Sequence, residues 1–302
     1  MAKVAINGLG RIGRATLKIL RKDSDLELVA INDLIPTDNL AYLLKYDTVY
    51  GRNDEKVEFN ENALIVGDKE IPVSAEKDPA QLPWGDMDVD IVFECTGIFT
   101  NKDGLEKHRK AGAKHVILSA PAKGGGVPTI VFGVNTPDQI PEILSCASCT
   151  TNCIAPVVEV MGRRVGVKKA ILNTIHAYTS SQSIVDGPNK KMRRGRAGAA
   201  NFVPTSTGAA KATALALPQF EGKFDGVAIR GPIAIGSIAD ITFVTEKSVS
   251  AEEINDIFRE EAGTGRYSGI LGASDDELVS SDIIADTRAS IVDLSMTQVV
   301  DG

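Results

Sequence analysis

The sequence is short of aromatic residues, which make up 5% of its 302 residues with a single tryptophan, and it holds only three histidines. It has no apolar run approaching the roughly 18 residues that a membrane-spanning helix needs, so no membrane partner is expected. It has no excess of positive charge: 33 Lys and Arg against 40 Asp and Glu give a net charge of −7. A nucleic-acid-binding protein carries a basic footprint, so nucleic acid is not expected as a partner, and any anion site must be local. It has only four cysteines, three of them within residues 145–153, which is no disulfide framework and points to a reducing, cytoplasmic compartment. The start opens straight into an apolar, β-branched run with no signal-peptide pattern. Repeats and low-complexity tracts are absent. What is left is an ordinary globular composition, 43% hydrophobic and 24% charged, long enough for two domains.

The most informative stretch is Ser145-Cys146-Ala147-Ser148-Cys149-Thr150-Thr151-Asn152-Cys153, directly before an apolar run of helical spacing. Ser148 is a good N-cap, which puts Cys149 at the first helical position. Free amide N–H groups and the positive end of the helix dipole favour a thiolate there, and the thiolate is the nucleophilic form. Cys146 and Cys149 also have a redox or zinc spacing, but zinc needs four ligands and no second Cys or His pair stands at a suitable distance, so no metal is expected. Cys95 and Cys153 read as buried structural cysteines, Cys153 one helical turn past Cys149 near the same face. Pro156 should kink the helix or make it locally irregular.

Residues 3–6 form a short strand, followed at once by Gly8-Leu9-Gly10-Arg11-Ile12-Gly13 and a helical pattern over residues 14–20. Gly8 permits the tight turn, Gly10 lets backbone approach a pyrophosphate, and Gly13 lets helix and strand pack closely. A second strand over residues 26–31 ends at Asn32-Asp33, 20 residues past Gly13, where an acid meets an adenosine ribose hydroxyl and repels a 2′-phosphate; NAD is therefore favoured over NADP. Residues 39–46 read as helix and residues 57–74 as a hairpin. Strands over residues 90–94, 115–118, 129–132 and 143–144 carry small polar residues at their ends, where an open α/β sheet binds ligands. This half reads as a doubly wound dinucleotide domain closing near residue 148. Beyond it, residues 170–175 form a strand ending at His176. Residues 180–204 form a long basic loop, a kind that is usually functional or an interface. Residues 205–212 open an Ala-rich helix whose start suits an anion. Long strands at 226–230 and 238–245, a helix at 251–261 capped by Ser250, and short strands at 283–285 and 290–294 complete an α+β second half.

Taken together, these motifs resemble the phosphorylating glyceraldehyde-3-phosphate dehydrogenase family. The matching blocks are Ile6 to Arg14, Asn32-Asp33, Leu44 to Asp47, Glu94-Cys95-Thr96-Gly97, Ser119 to Lys123, Ala147 to Cys153, His176 to Thr179 and Thr207 to Ala212, in family order over nearly the whole chain. The resemblance implies a Rossmann-type α/β NAD-binding domain over residues 1–148. It implies an α+β catalytic domain with a mostly antiparallel sheet over residues 149–302. It also implies oxidation of glyceraldehyde 3-phosphate with NAD and inorganic phosphate. Cys149 is then the nucleophile and His176 its base. The cofactor residues are Asn7, Gly8, Gly10, Arg11, Ile12, Gly13, Asn32, Asp33, Leu34, Thr96, Gly97 and Ser119, with Pro188 bordering the adenosine ribose. Thr179 and Arg230 match the substrate-phosphate site; Ser148, Thr150, Arg194, Thr207 and Gly208 match the inorganic-phosphate site. The 180–204 loop resembles one that packs between subunits, which implies a homotetramer.

The sequence also departs from the family pattern. Cys146 stands where Asn is usual, Ser181 where Asp is frequent, and Gly231-Pro232-Ile233-Ala234 replaces a Val-Pro-Thr segment. The chain stops at Val299-Val300-Asp301-Gly302, short of the terminal block whose Asn orients the nicotinamide in the family it resembles, so the expectation is either weak NAD binding or a sequence from an incomplete gene. Two other readings remain open. One is the sister erythrose-4-phosphate dehydrogenase, against which Thr179 and Thr207 to Ala210 argue. The other is a non-catalytic binding protein that keeps the fold, which an ordinary Cys149 thiol would favour.

Overall fold

The computed structural model of the chain describes residues 1–302, which divide into two compact units: Met1–Ile130 with Pro137–Ala147, and Val131–Thr136 with Ser148–Gly302.

In the first unit, β1 (Ala2–Asn7) is followed by α1 (Arg11–Leu20), β2 (Leu26–Asn32) and α2 (Thr37–Lys45). A two-residue ribbon follows, β3 (Tyr46–Asp47) with β4 (Gly51–Arg52). Next come β5 (Val57–Asn60), β6 (Ala63–Val66) and β7 (Lys69–Ser74), then β8 (Ile91–Glu94), α3 (Lys102–Lys110), β9 (His115–Leu118) and β10 (Ile143–Ser145). Eight of these strands form one sheet in the order β10-β9-β8-β1-β2-β7-β6-β5. The chain runs from β1 outward one way, through β2, then returns to the other flank of β1 with β8. The switch point of the sheet therefore lies at the carboxyl ends of β1 and β8, where open α/β sheets bind ligands. Val4, Ile6, Leu28 and Ile31 are sealed beneath α1, whose Leu17 is fully buried, so the β1–turn–α1 unit is anchored by its apolar side chains.

In the second unit, α4 (Cys149–Arg164) precedes β11 (Val167–Ala177), β12 (Val203–Ser206), α5 (Ala209–Ala216), β13 (Phe224–Gly231), β14 (Ser237–Thr245), α6 (Ala251–Ala262), β15 (Leu271–Ser274) and β16 (Ser290–Asp293). The sheet order is β12-β13-β11-β14, antiparallel at both outer pairings and parallel between β13 and β11. Pro204 lies on the edge strand β12, where its missing N–H interrupts no inner ladder. Helix α4 packs Ile154, Val158 and Met161 into a core that also holds Leu172, Phe220, Phe258 and Tyr267.

Four local expectations change. Residues 129–132 give one isolated bridge, Thr129 to Ser145, and no strand: the Asn135 side chain accepts the Val131 N–H at 2.7 Å and the backbone turns there. Residues 283–285 form turns, because Ala285 adopts a left-handed φ of 66° that no strand tolerates. Residues 203–206, expected as loop end and helix cap, form strand β12 because they pair with β13, and helix α4 is continuous through Pro156. Among the elements not foreseen, two carried too little apolar signal. In α3 only Leu105 supplies a large buried apolar side chain, and its start is fixed by Asn101, whose Oδ1 accepts the Gly104 N–H at 3.0 Å. Strand β15 is short and half glycine and alanine.

Candidate functional site

The glycine turn leaves β1 with Gly8 at a φ of +92°, a conformation that a side chain would strain. A Cβ at Gly13 would lie 2.0 Å from the Gly8 carbonyl oxygen, so the turn and α1 touch backbone to backbone. A Cβ at Gly10 would meet nothing within 4 Å, which leaves this face of the turn open to a ligand. Asp33 closes the turn: its Oδ2 accepts the Leu9 N–H at 2.6 Å and its Oδ1 the Ile35 N–H at 2.9 Å. An ionised carboxylate has lone pairs to spare beyond these two, enough for a ribose hydroxyl. Gly97 has a φ of +72° and open space around it, and Ser119 Oγ donates to the Glu94 carbonyl at 3.0 Å. These residues fit a dinucleotide. Asn7 and Asn32 turn their side chains inward, only 1% and 3% exposed, and bond to each other at 2.8 Å. Ile12 and Leu34 are exposed.

Arg11 pairs with Asp47 and lies over the Tyr50 ring. Burial pushes the Asp47 carboxyl up, but the Arg11 guanidinium and the N–H groups of Tyr50 and Val49 pull it down to about 2. A carboxyl depressed in the fold adds stability that is fully present above its unfolded value, about 4, and is lost as pH falls through its folded value. Asp47→Asn should therefore lower stability by about 1 kcal/mol at neutral pH, after discounting for the exposed Arg11, and by nothing once the pH is well below the folded value. Urea titrations of both proteins between those limits test this.

The second site lies in the second unit. Ser148 has extended backbone, and its Oγ accepts the Thr151 N–H at 3.1 Å, as an N-cap does. Ser148→Ala should cost about 1 kcal/mol in a denaturant melt. Cys149, at the first position of α4, is exposed, and its Sγ lies 3.3 Å from His176 Nε2. Burial of the sulfur raises the Cys149 thiol, yet the hydrogen bond and charge of His176 and the Thr150 contacts bring it below the ordinary value. The other three cysteines move the opposite way: burial lifts Cys95 to about 11 and raises Cys146 and Cys153. Cys153 Sγ donates to Ser290 Oγ at 3.8 Å, and Cys146 Sγ to the Leu118 carbonyl at 3.2 Å.

Strand β11 delivers His176, and β13 delivers Arg230 directly beside it in register. Arg230 Nη1 stands 2.5 Å from His176 Nδ1 and donates to the Ala177 carbonyl at 2.9 Å. Burial, then repulsion from Arg194, holds Arg230 below its usual value, and its Nε is buried without a partner. Thr179 Oγ1 bonds Ser181 Oγ at 2.8 Å; Arg194 Nε donates to Thr205 Oγ1 at 3.2 Å and its Nη1 reaches Ser181 Oγ at 3.5 Å. Two cations with few acid neighbours call for an anion. Thr207 Oγ1 accepts the Ala209 N–H at 3.1 Å, and Gly208 opens α5 with free space around it. Pro188 lies exposed on the 180–204 segment, apart in sequence from the glycine turn.

Comparison with known proteins matches residues 148–302 to the family described as glyceraldehyde 3-phosphate dehydrogenase, C-terminal domain, and residues 2–102 to its NAD binding domain. The chain belongs to the glyceraldehyde-3-phosphate dehydrogenase family. Among its relatives, the glyceraldehyde-3-phosphate dehydrogenase of Thermotoga maritima is 52% identical over 306 residues, covering 100% of this chain and 91% of the relative. Those of Streptomyces coelicolor and Geobacillus stearothermophilus are each 47% identical, covering 99% of this chain and 90% of the relative. Membership in the glyceraldehyde-3-phosphate dehydrogenase family gives the open glycine turn a dinucleotide to hold.

Sequence reasoning missed two features of the site. Ala147, one residue before the N-cap, adopts a φ of 61°, and its N–H is held by Ser145 Oγ at 3.0 Å. Only Ser145, two residues upstream, could have hinted at it. The inward Glu94–His108 pair was hidden because its partners lie far apart in sequence.

Proposed function

We propose that the chain oxidises D-glyceraldehyde 3-phosphate with NAD and phosphate to give 1,3-bisphosphoglycerate. The observation that carries this is the 3.3 Å contact between Cys149 Sγ and His176 Nε2, at a capped helix start, on the one cysteine whose thiol is lowered. The Cys149 thiolate adds to the aldehyde carbon, forming a C–S bond as the carbonyl pair moves onto oxygen. His176 protonates that oxygen, giving a hemithioacetal. Bound NAD would supply the acceptor for the hydride that leaves this carbon. His176 Nε2 takes back the hydroxyl proton as that happens, leaving a thioester on Cys149. A phosphate oxygen then attacks the thioester carbon, and the thiolate leaves. The Cys149 N–H and the imidazolium steady the developing oxyanion.

Thr179 and Arg230 hold the substrate phosphate, while Ser148, Thr150, Arg194, Thr207 and Gly208 hold the attacking phosphate. The dehydrated, partly unpaired Arg230 and the neighbouring Arg194 support an anion there. Asn7, Gly8, Gly10, Arg11, Ile12, Gly13, Asn32, Asp33, Leu34, Thr96, Gly97 and Ser119 frame the NAD site. The test is NADH formation from glyceraldehyde 3-phosphate and NAD, with and without phosphate, beside erythrose 4-phosphate. Turnover that requires phosphate and prefers the three-carbon aldehyde supports the assignment; phosphate-independent turnover, or preference for the four-carbon one, overturns it.

A homotetramer accounts for the exposed apolar residues. Ile184, Val185, Met192 and Phe202 of the 180–204 segment are 89%, 74%, 89% and 72% exposed, and Ile171, Val227, Ile238 and Val244 are bare on one sheet face. Ile171 and Val244 also line an open groove of about 860 Å³ that does not include Cys149 or His176. Pro188 would then serve a neighbouring subunit's cofactor. Light scattering on the purified protein should give four chains. Four free thiols suit a reducing, cytoplasmic setting.

A further inference from the structure

At the switch point, three polar residues stand side by side at the strand ends: Asn7 of β1 is in register with Asn32 of β2 on one side and with Glu94 of β8 on the other. Glu94 is fully buried. Its Oε2 accepts Asn7 Nδ2 at 2.5 Å and lies 3.1 Å from His108 Nε2. Its Oε1 accepts the Thr96 N–H at 2.7 Å and also bonds the Thr96 hydroxyl. Behind His108, which is also fully buried, Trp84 Nε1 lies 3.0 Å from Nδ1.

Donor and acceptor roles follow from this arrangement. An indole N–H can only donate, so His108 Nδ1 carries the lone pair and Nε2 carries the proton. His108 is therefore neutral and donates to Glu94. Three of the groups on Glu94 can only donate, the Thr96 N–H, Asn7 Nδ2 and His108 Nε2; the fourth, the Thr96 hydroxyl, takes the Ile98 N–H at 3.0 Å and has its own hydrogen to give. Hydrogen bonds donated to the charged form of a carboxyl favour that form. Glu94 is a buried carboxylate, and no Lys or Arg forms an ion pair with it; His108 is its only basic neighbour.

We infer that Glu94 is a positioning residue for the cofactor, with a second effect through its charge. By gripping Asn7 before the glycine turn and Thr96 after β8, and through Asn7 the Asn32 that precedes Asp33, it ties three cofactor-facing strand ends into one frame. Its uncompensated negative charge stands at the switch point of a dinucleotide site. NAD carries one more positive charge than NADH on the nicotinamide, and both carry the same pyrophosphate. The carboxylate therefore favours the oxidised cofactor over the reduced one. The inference rests on the dinucleotide binding at the ends of β1, β2 and β8.

Calorimetry with NAD and NADH on the full chain tests it, with the single Trp84 fluorescence reporting whether the network is intact. Glu94→Gln should lose affinity for both cofactors but more for NAD, shifting the NAD-to-NADH preference about fourfold toward NADH. Glu94→Asp and His108→Ala, which keep the charge and loosen the frame, should weaken both cofactors without moving that ratio. His108→Gln, which can still accept from Trp84 and donate to Glu94, should restore the affinity. An unchanged ratio in Glu94→Gln would overturn the charge effect, and wild-type affinities in Glu94→Gln and His108→Ala would overturn the positioning role. Should Glu94→Gln not fold, carbon-13 spectra of the wild-type carboxyl groups keep the inference falsifiable: a protonated Glu94 at neutral pH would overturn it, and an ionised one supports it. A wild-type chain that bound neither cofactor would refute the dinucleotide assignment itself, and the inference with it.

Discussion

Cys149→Ser lowers turnover of glyceraldehyde 3-phosphate by about four orders of magnitude or more, and leaves dinucleotide affinity at the wild-type level. The reason lies in what the helix start and His176 do for sulfur and cannot do for oxygen. The N-terminus of α4 and the His176 contact bring a thiol, already acidic by nature, below its ordinary value. A serine hydroxyl starts many units higher, and the same contacts cannot ionise it. The thioester is lost as well, because an oxygen ester is a poorer acyl donor to phosphate. The other cysteines cannot substitute, since burial raises each of them. The glycine turn belongs to the other compact unit, so its cofactor should bind as before. Steady-state rates and calorimetry on the same preparation check both halves; more than a few per cent of wild-type turnover would contradict the nucleophile assignment.

Gly13→Ala removes cofactor binding by a different route. The added methyl would sit 2.0 Å from the Gly8 carbonyl oxygen and 3.0 Å from its carbon. These are backbone atoms and cannot swing away, so α1 must lift off β1 or the turn must change shape. Overpacking of this kind costs about 3 kcal/mol, a large part of a domain's stability, and it displaces the N-terminus that faces the phosphates. Gly10→Ala is the matched control. Its methyl meets no protein atom within 4 Å and its φ of −69° suits any residue, so the fold should keep its stability. The methyl would occupy the open face that the pyrophosphate needs, so NAD affinity should still fall about tenfold or more. Denaturant melts and NAD titrations of the two variants separate the roles: lost stability for Gly13→Ala only, lost affinity for both.

Much of this was legible in the sequence where local chemistry dictates structure. The Gly8-x-Gly10-x-x-Gly13 turn, the Ser148 cap and the Ser250 cap all follow from residues a few positions apart, and each forms as expected; Asp33 stands beside that turn, accepting the Leu9 N–H. The pairing of His176 with Cys149 came from the family resemblance, because a 27-residue separation carries no periodic signal; the 3.3 Å contact supplies the geometry. What the sequence hid was set by tertiary contacts. Residues 129–132 look like a strand, but the Asn135 side chain captures their backbone. Residues 283–285 look extended until Ala285 turns left-handed. The Glu94–His108–Trp84 chain joins three residues that share no motif, and Asn7 and Asn32, read as cofactor contacts, turn their side chains into that buried frame.

The proposed chemistry turns on His176 making Cys149 an activated thiolate. The most direct measurement is the rate of iodoacetamide alkylation against pH, with the modified cysteine identified by mass, in the wild-type chain and in His176→Asn. Cys149 alone should be modified at neutral pH. Its rate should fall only as pH drops through a thiol value below the ordinary one, and the curve should shift to higher pH in His176→Asn. Alkylation spread over several cysteines, or one ordinary-thiol curve shared by both proteins, would contradict it.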